Sequence, residues 1–225
     1  MQMAKTAKQE SAAHRPLAET RDRVLDVAEQ LFAERGLDAV SIRDITGRAG
    51  VNLGAINYHF GTKEKLILAV LERRMVPLRQ RCLQGLEAAE QAAGKRRPTL
   101  EAVLEALFRA EVEQAMDPTR GGATFGKLMA RCFVEAKPAV ERAVRTHFEP
   151  VMRRFDAALV RVMPRLTPAD VFWRMHLLIG GLHHSLLMLH RKPPEGIGLR
   201  MDADSYVNRF VAFAAAVFRA RLPKI

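Results

Sequence analysis

With 225 residues, 48% of them hydrophobic, and only two cysteines, Cys82 and Cys132, the chain can bury a sizeable core without a disulfide framework. No run reaches the roughly 18 apolar residues of a membrane span, and the polar opening lacks the apolar stretch of a signal peptide. Neither membrane insertion nor export is expected, and the cytoplasm is the expected compartment. The net charge of +11 favours polyanionic partners, but residues 1–75 carry 12 Lys and Arg against 10 Asp and Glu, and residues 76–225 carry 24 against 15. Charge alone therefore does not locate a nucleic-acid surface.

Helical periodicity dominates, with no internal repeat and no strand-like alternation, so an all-α fold of about nine helices is predicted. Residues 1–19 are expected to form a disordered basic arm. The first helix is predicted from Arg21 to Arg35, with Thr20 as its cap and Val24, Leu25, Ala28, Leu31 and Phe32 on one buried face. Gly36 suits the left-handed residue that follows. Ser41, with Asp44 three residues on, reads as a capping box opening a second helix whose inner face holds Ile42 and Ile45. Ala49-Gly50-Val51 is a tight break, Asn52 caps a short third helix to about Tyr58, and Thr62 caps a long fourth helix.

The remainder divides at Gly94–Pro98, at Asp117–Gly122 and at the Pro- and Gly-rich stretch 191–201. The predicted helices are 99–116, 124–135, 138–163 with a kink at Pro150, 167–190, and 202–221. Thr167-Pro168-Ala169-Asp170 is a strong start signal: a cap, a proline at the first helical position and an acid at the third.

The segment from Ser41 to Tyr58 carries the functional signal. A short helix, a turn at Gly50 and a second short helix make the sequence form of a helix-turn-helix. The second helix opens Leu53-Gly54-Ala55, small enough to sit deep in a major groove. Leu53 or Ala55 can touch a thymine methyl, and Asn57 can bond a base edge. Tyr58, His59 and Lys63 lie where the chain leaves the groove, suited to phosphates, and Arg43 can reach backbone or base. Ile42, Ile45, Val51, Ile56 and Phe60 read as core, and His59 suits packing as well as it suits backbone contact.

The run from Ser41 to Leu66, with Ala28–Gly36 before it, resembles the TetR family of transcriptional regulators over about 50 residues. The resemblance implies a homodimer with an N-terminal helix-turn-helix domain, here 20–66, and a C-terminal ligand-binding and dimerisation domain, here 67–225. It implies double-stranded DNA, in the form of a palindromic operator, as partner. It puts Thr20, Ser41, Arg43, Leu53, Gly54, Ala55, Asn57, Tyr58, His59 and Lys63 at DNA-facing positions. Pro164–Pro168 followed by Phe172–His176, and Val51–Leu53 with Ile56–Gly61, are similar to the PsrA-like branch of that family. That branch answers to fatty acids or their derivatives, so a fatty acid or acyl-CoA effector is the implied ligand of a repressor.

The C-terminal half is compatible with an apolar pocket, with Phe108, Phe125, Met129, Phe133, Trp173 and Leu177 as lining and Arg174 as an anchor for an anionic head. The same stripe also suits solid core in a regulator that takes another apolar ligand or none. Ile179, Leu182, Leu186 and Leu189, with Phe210, Phe213 and Val217, form two apolar stripes expected at the dimer interface. His176, His183, His184 and His190 lack an acid or thiol at helical spacing, so no metal is expected. No nucleophile elbow, P-loop or dinucleotide fingerprint is present, and neither an enzyme nor a cofactor is expected.

Overall fold

A computed structural model describes residues 2–135, 137–188 and 201–221, with side chains from Leu17 onward other than Phe133. The described residues form α-helices in chain order: α1 (Gln2–Arg35), α2 (Ile42–Ala49), α3 (Leu53–His59), α4 (Lys63–Ala93), α5 (Leu100–Met116), α6 (Gly122–Val134), α7 (Pro138–Val162), α8 (Pro168–Met188) and α9 (Ala203–Arg219). A single 3-10 turn, Pro118–Arg120, links α5 to α6. None of these helices is long and apolar enough to cross a membrane.

The start of α1 corrects the sequence reading. The helix begins at Gln2, so residues 2–19 belong to it and Thr20 lies within it and does not cap it. The physical reason lies in composition: residues 2–14 are mostly Ala, Lys, Gln, Glu and Met, which propagate helix well, and contain no glycine. Pro16 removes one backbone donor from the ladder and does not stop it.

The chain divides into two compact units: Met1–Arg73 with Lys127–Glu141, and Arg74–Gly126 with Arg142–Ile225. The first unit thus takes in a segment distant in sequence, Lys127–Glu141. In the first unit α1, α2 and α3 pack around Val24, Leu25, Leu31, Phe32, Ile45 and Ile56, all essentially without solvent exposure. Leu66, Ile67, Val70 and Leu71 bring the first turns of α4 into the same core. Arg73 closes it, donating to Asp26 at 2.7 Å and to buried Glu29 at 2.5 Å.

In the second unit α5 packs on α9, with the Phe108 ring edge-on to Phe210 at 4.9 Å. The backbones of α4 and α5 approach closely because Gly85 has no side chain: a Cβ there would lie 3.3 Å from the Ala106 backbone. Cys82, in this unit, and Cys132, in the first, are both free and buried, and burial pushes each thiol up to about 12. At such values neither is a thiolate near neutral pH.

Candidate nucleic-acid interface

Local chemistry sets the two short helices. Asp44 accepts the N–H of Ser41 at 2.8 Å, and Ser41 Oγ accepts the N–H of Asp44 at 3.2 Å, the reciprocal capping box that starts α2. The Ser41 hydroxyl holds the Asp44 carboxyl below the usual carboxylate range. Gly50, with φ +63°, ends α2 in the left-handed conformation, which glycine adopts without a Cβ penalty. Asn52 Oδ1 accepts the N–H of Ala55, three residues on, at 2.9 Å and caps the start of α3.

These caps fix which face of α3 looks outward. Ile56 is buried and Phe60, just past the helix, is nearly so. Leu53, Gly54, Asn57 and Tyr58 share the opposite, exposed face. Leu53 is 54% exposed and Tyr58 74%, a large apolar and a large aromatic side chain both kept in solvent. Ala55 and His59 are half-buried at its margins, and the His59 ring meets Tyr58 edge-on at 5.1 Å. Arg43 and Ser41 are exposed on α2 and its cap, and Thr20 is half-buried on α1.

Lys63 opens α4 and donates to the Asp38 carbonyl at 3.1 Å. Burial and the charge of Lys137 hold its ammonium below the ordinary lysine value, although Asp38, Glu135 and Asp44 pull the other way. Thr62 Oγ1 accepts the Lys65 N–H at 3.2 Å and caps that helix start as expected. The arrangement can present a short helix to a groove, with hydrogen-bonding and cationic groups where phosphates would run.

Sequence reasoning missed three residues of this unit. Glu135, at the end of α6, accepts backbone N–H groups of Leu37 at 2.6 Å and Asp38 at 3.3 Å. Lys137 pairs with the Asp38 carboxylate, and Arg131 donates to the Glu34 carbonyl at 3.4 Å. No local pattern signals contacts about 100 residues apart in the chain.

The residues expected to line a ligand pocket differ in burial. Phe108 is buried core, and Phe125 and Met129 are buried on α6, while the Phe133 side chain lies outside the described residues. Trp173 and Leu177 stand 47% and 52% exposed on the outer face of α8. Arg174, 2% exposed, gives its guanidinium to the carbonyls of Val217 at 3.2 Å, Ala220 at 3.0 Å and Asp170 at 3.2 Å. It caps the C-terminus of α9, so its reading as an anchor for an anionic head gives way to a structural role. A groove of about 280 Å³ lies between α4 and α5, floored by Gly85, Ala102 and Ala106 and walled by Glu105 and Arg109.

The residues expected at the dimer interface also differ in burial. Leu182 is fully buried and Leu186 nearly so within the second unit, because they continue the inward stripe of Val171, Met175 and Leu178. Ile179, Phe210 and Val217 are half-buried, Phe213 is exposed, and Leu189 lies outside the described residues. The face that α8 leaves open carries Phe172, Trp173, Leu177, Gly180 and Gly181. Of the histidines, His183 faces Glu111 of α5 at 3.4 Å, His176 stacks beside Phe172, and His190 lies outside the described residues.

Known proteins resemble this chain in sequence and in fold. Residues 24–70 match the model for bacterial regulatory proteins of the tetR family, and residues 105–217 match the tetracyclin repressor-like C-terminal domain. The chain is 28% identical over 212 residues to the HTH-type transcriptional regulator AcrR of Shigella flexneri, covering 91% of each protein. Among solved structures, SCO4454 from Streptomyces coelicolor, a TetR-family transcriptional regulator, superposes with a TM-score of 0.61 at 24% identity over 94% of each chain. The fatty acid degradation regulator FadR from Bacillus halodurans superposes with a TM-score of 0.66 at 16% identity, covering 90% of this chain and 97% of that one.

Proposed function

Because the chain belongs to the TetR family of DNA-binding transcriptional regulators, which are not enzymes, we propose that it is a cytoplasmic repressor released from a palindromic operator by a small molecule. The observation that carries this reading is the exposed face of α3. A Leu and a Tyr held largely in solvent, on a helix capped at both neighbouring turns, are costly to leave uncovered and fit a groove. In this reading Leu53 and Ala55 meet thymine methyls, Gly54 allows close approach, and Asn57 bonds a base edge. Tyr58, His59, Lys63, Arg43, Ser41 and Thr20 hold the phosphate backbone.

The homodimer forms through the open faces of α8 and α9, where Trp173, Leu177 and Phe213 are exposed. Two α3 helices then address half-sites about one helical turn apart, roughly 34–36 Å. A fatty acid or acyl-CoA is the first effector class to test. Its support is the PsrA-like sequence resemblance and the fold shared with a regulator described as controlling fatty acid degradation. Effector binding favours a dimer whose α3 helices no longer match the operator spacing; without that difference in affinity nothing shifts.

The test enriches a duplex from a random-sequence pool with the full-length protein and follows its binding by fluorescence anisotropy. Tyr58→Ala should weaken binding, and palmitate or palmitoyl-CoA should release the wild-type protein. Release by neither lipid rejects the lipid effector and turns the search to other apolar ligands. Equal binding by wild type and Tyr58→Ala rejects the assigned contact.

A further inference from the structure

We propose that Glu135 is a positioning residue for DNA reading: its carboxylate fixes the turn after α1 and, through Asp38, the pose of Lys63. The proposal rests on the reading of Lys63 as a phosphate contact.

The turn needs an acceptor from elsewhere. At the end of α1, Gly36 takes φ +93° and returns its N–H to the Phe32 carbonyl at 2.9 Å. The chain then leaves the helix, and the next two N–H groups, of Leu37 and Asp38, turn to Glu135 Oε2 at 2.6 and 3.3 Å. Leu37 is fully buried, so its amide cannot fall back on water. A carboxylate accepting two backbone donors makes charge-assisted bonds, stronger than amide–amide ones. Gly36 is part of the device: a Cβ there would lie 2.4 Å from Glu135 Oε1. The carboxylate occupies the space the glycine leaves.

The flanks reinforce the contact. Lys137 pairs with the Asp38 carboxylate, and Arg131 reaches the Glu34 carbonyl at the C-terminal end of α1, where a cation is favoured. Asp38 gives its N–H to Glu135 and its carbonyl to Lys63, so one residue joins the two. The charges of Glu135, Asp38 and Asp44 all act on Lys63, with Lys137 opposing them. Without the Glu135 carboxylate, Leu37 and Asp38 lose their acceptor, the Asp38 carbonyl loses its fixed position, and Lys63 loses its hold.

The test uses the full-length protein and a duplex enriched from a random-sequence pool by wild type. Kd is measured for wild type, Glu135→Ala, Glu135→Gln, Lys63→Ala and the Glu135→Ala/Lys63→Ala double variant, and amide exchange is followed at residues 37 and 38. Glu135→Ala should weaken binding about 10-fold, and Glu135→Gln, which keeps an oxygen acceptor, should recover most of that. In the Lys63→Ala background the same change should cost less than about 2-fold, because its route of action is gone. Both amides should exchange faster in Glu135→Ala. An equal loss with and without Lys63 overturns the proposal, as do amides that stay protected in Glu135→Ala. Failure of the wild-type protein to enrich any duplex strikes instead at the DNA-reading assignment, while the exchange measurement still judges the Glu135 contact.

Discussion

Arg174 Nη2 donates to the Ala220 carbonyl at 3.0 Å, one helix paying the open end of another. Nε reaches Val217 at 3.2 Å, and Nη1 lies 3.3 Å from the Asp170 carboxylate one turn back on α8. Truncation would leave the α9 carbonyls and a half-buried acid without their partner. Arg174→Ala should therefore destabilise the protein by about 3 kcal/mol, read by urea unfolding. A stability close to wild type would return Arg174 to the pool of ligand contacts.

The recognition face separates stability from binding. Tyr58 is mostly in solvent while Ile56, two residues earlier, is buried. Ile56→Ala should cost roughly 2–5 kcal/mol of stability by leaving a cavity. Tyr58→Ala should leave the melting temperature nearly unchanged and lower DNA affinity without changing the dependence of log Kd on log salt, because the neutral phenol releases no counterion. The reverse pattern would place Tyr58 in the core.

Capping at α3 couples the two properties. Asn52 Oδ1 accepts the Ala55 N–H in the first turn of the helix that carries Leu53, Asn57 and Tyr58. Asn52→Ala should cost about 1 kcal/mol of stability and weaken DNA binding as well, since the helix start frays. Asn52→Asp should keep both stability and the helix start. Loss of neither property in Asn52→Ala would mean that packing alone holds α3.

The caps show why this region was legible in sequence. Ser41 with Asp44, Gly50, Asn52 and Thr62 act within a few residues of themselves, so their spacing alone predicts α2, α3 and the start of α4. The α8 surface was not legible for the opposite reason. Val171, Met175, Leu178 and Leu182 make one helical stripe, and Trp173, Leu177 and Gly180 make another. Periodicity finds both stripes but cannot say which one faces α9. Arg174 falls between them, and only the position of the α9 terminus decides its task. Glu135 is further out of reach, because its partners lie at 37 and 38 and nothing near it in sequence requires a carboxylate.

His183 and Glu111 give stability a pH dependence with a definite sign. Burial opposes protonation of His183, but the hydrogen bond and charge of Glu111 outweigh it and raise its pKa above the ordinary 6.5. A raised folded value means that the contribution is complete below the unfolded pKa and fades as pH rises through the folded one. Urea midpoints should fall as pH rises from below 6.5 through the raised His183 value, and Glu111→Gln should flatten this part of the profile. An unchanged slope in Glu111→Gln would assign the effect to another histidine.

Two leucines five residues apart on α8 meet opposite surroundings. Leu177 is 52% exposed and Leu182 fully buried on the same helix. If α8 and α9 meet their copies in a dimer, Leu177→Asp and Trp173→Asp should yield folded monomers in sedimentation equilibrium, since a carboxylate there would be buried unpaired against the partner. Leu182→Ala should act differently, costing about 2–5 kcal/mol of stability through a cavity in its own bundle while the remaining folded protein still dimerises. DNA affinity should fall when dimerisation is lost, because each monomer reads a single half-site. Leu177→Asp and Trp173→Asp proteins that still sediment as dimers would move the interface away from this face.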